Sequence, residues 1–297
     1  MKWRRYIGVD MRGNEIRVAG LRRNWRRGAE LLQSRVKKIM PVPISGDSLK
    51  EMSQTTEQAL VKSLRQVLTP VTQNERRLAL SLPDRCGYVM NLKLERFSRS
   101  RKEGMEVVMW QVRKLLPAIS DLQADYQVLQ RSATGSVGVL VVAIEKRLLG
   151  LYENLIRKAG FIPEYVGFYG LNVYRHWRYR LEPEGDAILV IMNEDGIILQ
   201  TYRDGVLEYY QARAVGGQDA RQVQELHRIV AGGRSQHFSG LGRCRVFLHA
   251  EKAVEAATLE ALNECFGRKL QILEGDEENP PALTAALGAA ECVMMGG

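Results

Sequence analysis

Long apolar runs are missing from this chain. No stretch of about 18 apolar residues occurs anywhere in it, so nothing reads as a membrane-spanning helix. Cysteine is scarce: Cys86, Cys244, Cys265 and Cys292 form no C-x-x-C pair and have no histidine at metal-ligand spacing. They read as reduced, structural thiols, not as a zinc site or a disulfide framework. The histidines, His176, His227, His237 and His249, are scattered, which leaves any metal site to tertiary coincidence. G-x-S-x-G, H-E-x-x-H and G-x-x-x-x-G-K-S/T are all absent, so the signatures of serine hydrolases, zinc proteases and P-loop nucleotidases are excluded. The start, MKWRRY, is basic, but the apolar IGVDM that follows is too short for a signal peptide and is broken by Asp10. A cytoplasmic location is expected.

Acidic residues are scarce at the N-terminal end. Residues 1–40 hold twelve Lys/Arg against three Asp/Glu, while the rest of the chain is balanced, so the whole net charge of +9 lies there. Such an end can face nucleic acid, anionic lipid, an acidic partner or solvent. RRNWRRG sits at an expected hairpin turn, where exposure is the rule. No zinc-finger spacing, helix-turn-helix pattern or stacking aromatics accompany it, so no nucleic-acid partner is expected.

What is present is an ordinary globular composition arranged in two similar runs. RRYIGVDM, NEIRVAGLR and AELLQSRVKK read as three strands joined by Gly/Asn turns. DSLKEMSQTTEQALVKSLRQVL reads as a helix capped by Asp47 or Ser48, with Leu49, Met52, Leu60, Leu64 and Val67 on one face. Two strands then flank a turn at Pro83-Asp84, over 76–82 and 88–94, before a helix over 102–116 closed by Pro117. Strands over 125–131 and 136–144 follow, the second apolar enough in GVLVVAI for burial on both faces. KRLLGLYENLIRKAG is an amphipathic helix ending at Gly160, FIPEYVGF a strand and LNVYRHWRYRL a helix. A second meander occupies 186–192, 196–202 and 206–214. After it come a helix over 219–230, the strand RCRVFLHA, the helix AVEAATLEALNECFG, the strand KLQILEG and the closing helix PPALTAALGAAECV. The same order thus begins twice, near residues 5 and 186. It predicts an α/β protein of two half-domains facing a cleft, 1–181 and 186–297, hinged at EPEGD. A small β-rich subdomain is expected to be inserted in the first half over about 76–145.

Several phrases recur in a familiar order: IGVDMRGNEIRVAGL, RRLALSLP with YVMNLKLERFS, MEVVMWQVRKLLPAISDLQADYQVL, VGVLVVAIEKRLLGLYENLIRKAGFIPEYVGF and AALGAA. Over nearly the whole chain they resemble the PilM-like actin-fold pilus assembly proteins, whose relatives include MshI and the cytoplasmic region of GspL. The resemblance implies an actin-like (ribonuclease H-like) fold of duplicated half-domains. It also implies where a nucleotide clamp would lie.

The first phosphate turn would be built from Asp10, Gly13 and Asn14, but its glycine comes one place late and Arg12 intrudes. The second turn, MNEDG, lacks Asp-x-Gly and carries Glu194 and Asp195, which repel polyphosphate and read as a solvated acidic tip. The third, HAEK, lacks the Gly-Gly that lets adenine approach. The expectation is a pseudo-ATPase with no catalytic residues, no metal and no cofactor; ATP with magnesium is the alternative. The partner implied by the resemblance is a PilN-like inner-membrane protein, whose N-terminal cytoplasmic peptide would enter a groove between the inserted subdomain and the first meander. Other components of a pilus or secretion platform are expected nearby. Arg22, Arg23, Arg26 and Arg27 would serve a peripheral contact with the inner membrane or an acidic partner. Two other readings stand beside this one: an active actin-like ATPase of the same machinery, and a basic binder of nucleic acid or lipid surfaces.

Overall fold

Turn chemistry starts each half. In a computed structural model describing residues 4–24, 28–43, 45, 48, 52–95, 97–119, 121–132, 135–216, 219–233, 244–275 and 279–296, strands β1 (Arg5–Arg12), β2 (Glu15–Asn24) and β3 (Gly28–Lys38) form an antiparallel meander. The β1–β2 turn is two residues long, and Gly13 takes φ 53°, a conformation that suits glycine. Arg26 and Arg27 lie outside the described residues, as does His237.

Helix α1 (Gln54–Thr72) follows, and Ser53 caps it by accepting a hydrogen bond from the Thr56 N–H. Ser48 is itself helical, but the chain leaves the helix at Met52 and Ser53, so the single helix expected from 47 or 48 is interrupted before Gln54; Asp47 and Leu49 lie outside the described residues. Its face of Leu60, Leu64, Val67, Leu68 and Val71 is buried with Ile7, Val9 and Leu80 in one core. Each such side chain contributes roughly 1.5–3 kcal/mol on burial.

The next strand, β4 (Arg77–Leu82), lies parallel to β1, Asp10 beside Ser81. Then come β5 (Gly87–Leu94), helix α2 (Arg101–Leu115), β6 (Leu122–Arg131) and β7 (Val137–Glu145). β7 pairs antiparallel with both β5 and β6, giving a separate three-stranded sheet that α2 covers through Val108 and Val112. The inserted sheet thus starts at Gly87 and not at 76, because the apolar strand before Pro83 joins the larger sheet. Helix α3 (Lys146–Lys158) leads to β8 (Ile162–Phe168), which pairs parallel with β4 and completes a first sheet of order β3-β2-β1-β4-β8.

Helix α4 (Tyr169–Leu181) and a short 3-10 turn over Glu182–Glu184 connect the halves. The second half repeats the plan with β9 (Ala187–Asn193), β10 (Gly196–Arg203), β11 (Val206–Ala214), α5 (Asp219–Gly233), β12 (Arg245–Ala250), α6 (Ala256–Phe266) and β13 (Gln271–Ile272). Its sheet order, β11-β10-β9-β12-β13, is the first sheet's order over again.

The last helix, α7 (Thr284–Met294), does not stay with the second sheet. Ala286, Leu287 and Ala290 are buried in one cluster with Ala19 and Leu21 of the first sheet. The approach is close enough that a Cβ on Gly8 would lie 1.8 Å from the Ala286 carbonyl oxygen, and one on Gly288 1.9 Å from that of Asn172. Small residues at these contacts let the helix lie flat across β1 beside α4. The C-terminal end of β1 is thereby fixed at the floor of the cleft between the halves.

Candidate functional site in the cleft between the halves

Asp10 ends the apolar part of β1 and is fully buried. Its Oδ2 accepts from Arg12 Nε at 2.8 Å and faces Arg17 Nη1 at 3.7 Å. Arg12 turns inward as well. Its guanidinium lies 3.8 Å from the centroid of the Tyr169 ring and its Nη2 donates to Glu251 Oε1. Glu251 comes from the other half, just past β12. It also accepts from Arg17 Nη1 at 2.9 Å and from the Tyr169 hydroxyl at 2.9 Å. Arg17 completes its bonding with Glu15 at 2.9 Å.

Two buried guanidinium groups therefore meet two buried carboxylates across the cleft, with no net charge left between those four. Burial pushes the Asp10 carboxyl above its ordinary value against the pull of Arg12 and Arg17. Burial opposes ionisation of Glu251 too, but Arg12 and Arg17 together outweigh it and hold that carboxyl below the usual range. Arg12 stays protonated, since Asp10 and Glu251 more than offset its desolvation.

The other residues of the first turn lie outside this cluster. Asn14 is exposed and Gly13 half-buried, and their carbonyls accept from Ile39 N at 2.6 Å and Val42 N at 3.4 Å. The structure brings Asp10 into the site and leaves Gly13 and Asn14 at its edge.

At the facing β9–β10 turn the side chain of Asn193 folds back. Its Oδ1 accepts from Asp195 N at 2.8 Å and Gly196 N at 3.0 Å, and Gln222 of α5 donates to its carbonyl at 2.8 Å. These are backbone donors of the kind a phosphate turn presents to its ligand, and here the chain's own amide takes them. Glu194 and Asp195 are ion-paired, not merely solvated: Glu194 with Lys252, and Asp195 with Arg85 at 2.8 Å.

Behind the cluster, His249 is buried on β12 and its Nδ1 accepts from Trp177 Nε1 at 3.2 Å. Burial pushes its pKa down to about 3, so it is neutral. His176 pairs with Glu291 at 2.9 Å and His227 is exposed. Among the described residues no group of histidines, cysteines and carboxylates could hold a metal ion. The four cysteines are free thiols.

Two grooves border the inserted sheet. One of about 680 Å³ separates its edge strand β5 from β11, the edge of the second sheet. On its wall Asp84 accepts from Gly170 N at 3.1 Å and pairs with the Tyr210 hydroxyl, and burial raises its pKa to about 6. The other groove, of about 370 Å³, lies between the β6–β7 face and β8 and is lined by Met105, Val142, Ile144, Leu149, Val166 and Phe168. It adjoins the first half at the edge opposite the meander, not beside β1–β3. The basic meander residues are largely engaged: Arg4 with Glu164, Arg5 with the Val71 carbonyl, Arg22 with Glu30.

Glu251, Arg17, Tyr169 and Asp84 escape a reading of the sequence. Their one signal was the intrusion of Arg12 beside Asp10 in the first turn; the alternation of Ile16, Arg17 and Val18 gives Arg17 no mark of burial.

No family model matches the sequence, and no curated protein matches it. Among solved structures, the chain is similar to one from the PilM-PilN type IV pilus biogenesis complex, at 15% identity over 96% of this chain and 97% of that one, with a TM-score of 0.74. It is also similar to the ethanolamine utilization protein EutJ from Carboxydothermus hydrogenoformans (9% identity, 98% and 90% covered, TM-score 0.54). A third is a protein with actin-like ATPase fold and unknown function from Bacteroides thetaiotaomicron (10% identity, 96% and 95% covered, TM-score 0.56). Among the described residues no helix is long and apolar enough to cross a membrane. The repeated sheet order, the cleft between the halves and these likenesses agree: the chain has the actin-like fold.

Proposed function

We propose that the chain is a non-catalytic scaffold of a type IV pilus or type II secretion-like platform at the cytoplasmic face of the inner membrane, where it receives the N-terminal peptide of a PilN-like membrane protein. The observation that carries this reading is the apolar groove between the inserted sheet and β8. Among the described residues β6 and β8 are terminal strands of their sheets, so each has one ladder side to which no strand is paired. Main-chain bonds to such an edge give affinity, and the pockets beside Val142, Val166 and Phe168 select side chains. The likeness to a structure of a PilM-PilN complex supports the choice of partner.

The filled turns support the non-catalytic part of this reading. The groups that would face phosphate already bond to the chain itself, and Asp10 and Glu251 already neutralise Arg12 and Arg17, the cations that would attract it.

Calorimetric titration with a synthetic N-terminal cytoplasmic peptide of a PilN-like protein from the same cell tests the proposal. Binding at about 10 μM or tighter is expected, abolished by Val166→Trp, which fills the groove. Saturation unaffected by that substitution, or no heat at high micromolar peptide, defeats it. Magnesium with ATP is expected to leave the melting temperature unchanged; a clear shift would overturn the non-catalytic part alone.

A further inference from the structure

We infer that the cleft between the two halves is held shut by the protein's own cross-cleft bonds, centred on Arg12, Arg17 and Glu251, so that closure is constitutive and needs no ligand. Four separate links carry this. At the floor, Glu251 of the second half binds Arg12 and Arg17 of the first, and Tyr169 at the start of the connecting helix α4. On one wall, Asp84 beyond β4 binds Tyr210 of β11. Its neighbour Arg85 pairs with Asp195 at the tip of the β9–β10 turn, 2.8 Å away. At the far end, Asn91 of the inserted sheet donates from Nδ2 to the Leu207 carbonyl of β11 at 2.9 Å. The floor, the turn and the inserted sheet are each tied across.

The floor link is the strongest of these because of its burial. Glu251, Arg12 and Asp10 expose 4%, 6% and none of their side-chain surface. In so dry a site a charge deprived of its partner costs far more than an exposed one. Opening the cleft would strip Glu251 of both arginines at once, leaving Arg12 with Asp10 and Arg17 with Glu15 and Asp10. The closed arrangement is therefore the stable one with nothing bound. A consequence reaches the surface: with Asn91 and Arg85 engaged, the inserted sheet and β11 move as one body, and a partner meets a preformed face. This inference stands independently of the peptide groove at β8, since it concerns the opposite side of the inserted sheet.

The test is a double-mutant cycle on Arg12→Met and Glu251→Leu, read by chemical denaturation, hydrogen exchange and small-angle scattering on the full chain. Each single variant is expected to raise amide exchange in 193–196 and 207–214 by about 100-fold relative to the native chain. The pair is expected to recover at least about tenfold in the unfolding equilibrium constant over the sum of the singles. An increase in the radius of gyration should accompany the single variants. Additive losses with unchanged exchange in 193–196 and 207–214 would overturn the inference, because the cluster would then stabilise each half separately. Should the buried variants fail to fold, Glu251→Gln, which keeps the shape and an acceptor for Arg12 but removes the charge, serves instead. Faster exchange in those two segments supports the inference, and native exchange there overturns it. Magnesium with ATP, or inorganic phosphate, added to the native chain should leave exchange in both segments unchanged; slowing by either would show closure to depend on a ligand and would equally overturn it.

Discussion

At the β1–β2 turn a side chain reaches across the cleft, whereas at the β9–β10 turn a side chain folds back onto its own backbone. Arg12 leaves its hairpin to meet Glu251 in the other half; Asn193 stays within its hairpin and bonds Asp195 N and Gly196 N. Both turns stem from the same position in a repeated strand order. Each turn is bonded by the chain itself, but by different chemistry: buried charge in the first, a local amide in the second. The first arrangement couples the halves; the second only shapes a loop. Substitution at the first should therefore be felt throughout the molecule, and substitution at the second should stay local.

The largest expected effect lies at Asp10. Asp10→Ala removes a fully buried carboxylate from two arginines and should cost about 3–5 kcal/mol of stability, as breaking buried pairs does. Asp10→Asn keeps an acceptor for Arg12 Nε at 2.8 Å and should cost visibly less. Denaturant midpoints of the two variants decide the matter. Equal small losses would mean that the charge at the first turn is dispensable.

How much of this was visible beforehand differs between fold and site. The duplicated meander was legible because strand alternation and Gly/Asn turns are local signals, and they occur twice. The placement of α7 was not. AALGAA announces a close approach, but nothing local says that Gly288 meets the Asn172 backbone or Ala286 meets Gly8. The boundary of the inserted sheet was missed for a similar reason, since LALSL suits either sheet and its pairing with β1 is a long-range fact. In the site, the intrusion of Arg12 could be read directly. Its partner could not, because HAEK was weighed for the glycines it lacks and not for the carboxylate it delivers 239 residues away in sequence. Asn193 was likewise read as the loss of an Asp-x-Gly pattern, when its amide is what completes the turn.

Acid titration separates the two walls of the cleft. On the second-half wall, His249 has its pKa lowered from 6.5 to about 3 by burial. Its contribution is complete above pH 6.5 and is lost as pH falls toward 3, by up to about 1.4 kcal/mol per unit. On the first-half wall, Asp84 has its pKa raised from 3.8 to about 6 by burial, against its bonds to Tyr210 and Gly170. It imposes a penalty above pH 6 that is relieved as pH falls toward 3.8. Stability measured from pH 7 to 4 should therefore fall less steeply in His249→Phe than in the native chain. Asp84→Asn should gain on the native chain above pH 6 and lose that gain near pH 4. Parallel profiles for all three proteins would refute both assignments.

A smaller effect is expected at the second turn. Asn193→Ala leaves the Asp195 and Gly196 amides without their side-chain acceptor and should cost about 1–2 kcal/mol, in the range of a lost cap or turn bond. Exchange should quicken at 193–196 and remain native at 10–17, which is the local response that sets this turn apart from the first. Spread of the change into β1 and β2 would mean that the two turns are coupled after all.

The smallest effect belongs to an exposed pair within the second half, formed by the same segment after β12 that carries Glu251. Lys252 and Glu194, both of the second half, pair beside the cleft with 76% and 57% of their side chains exposed. Water and salt screen such a pair, so Lys252→Ala should change stability by less than about 1 kcal/mol, with little of that left at high salt. Geometrically this link resembles the one between Arg12 and Glu251, since each joins a strand-end turn to the segment after β12. If its removal opened the cleft as far as loss of Glu251 does, burial would not be what distinguishes the two. If it leaves exchange at 193–196 native, then the buried link from Glu251 to the first half, and not an exposed ion pair within the second, is what holds the halves together.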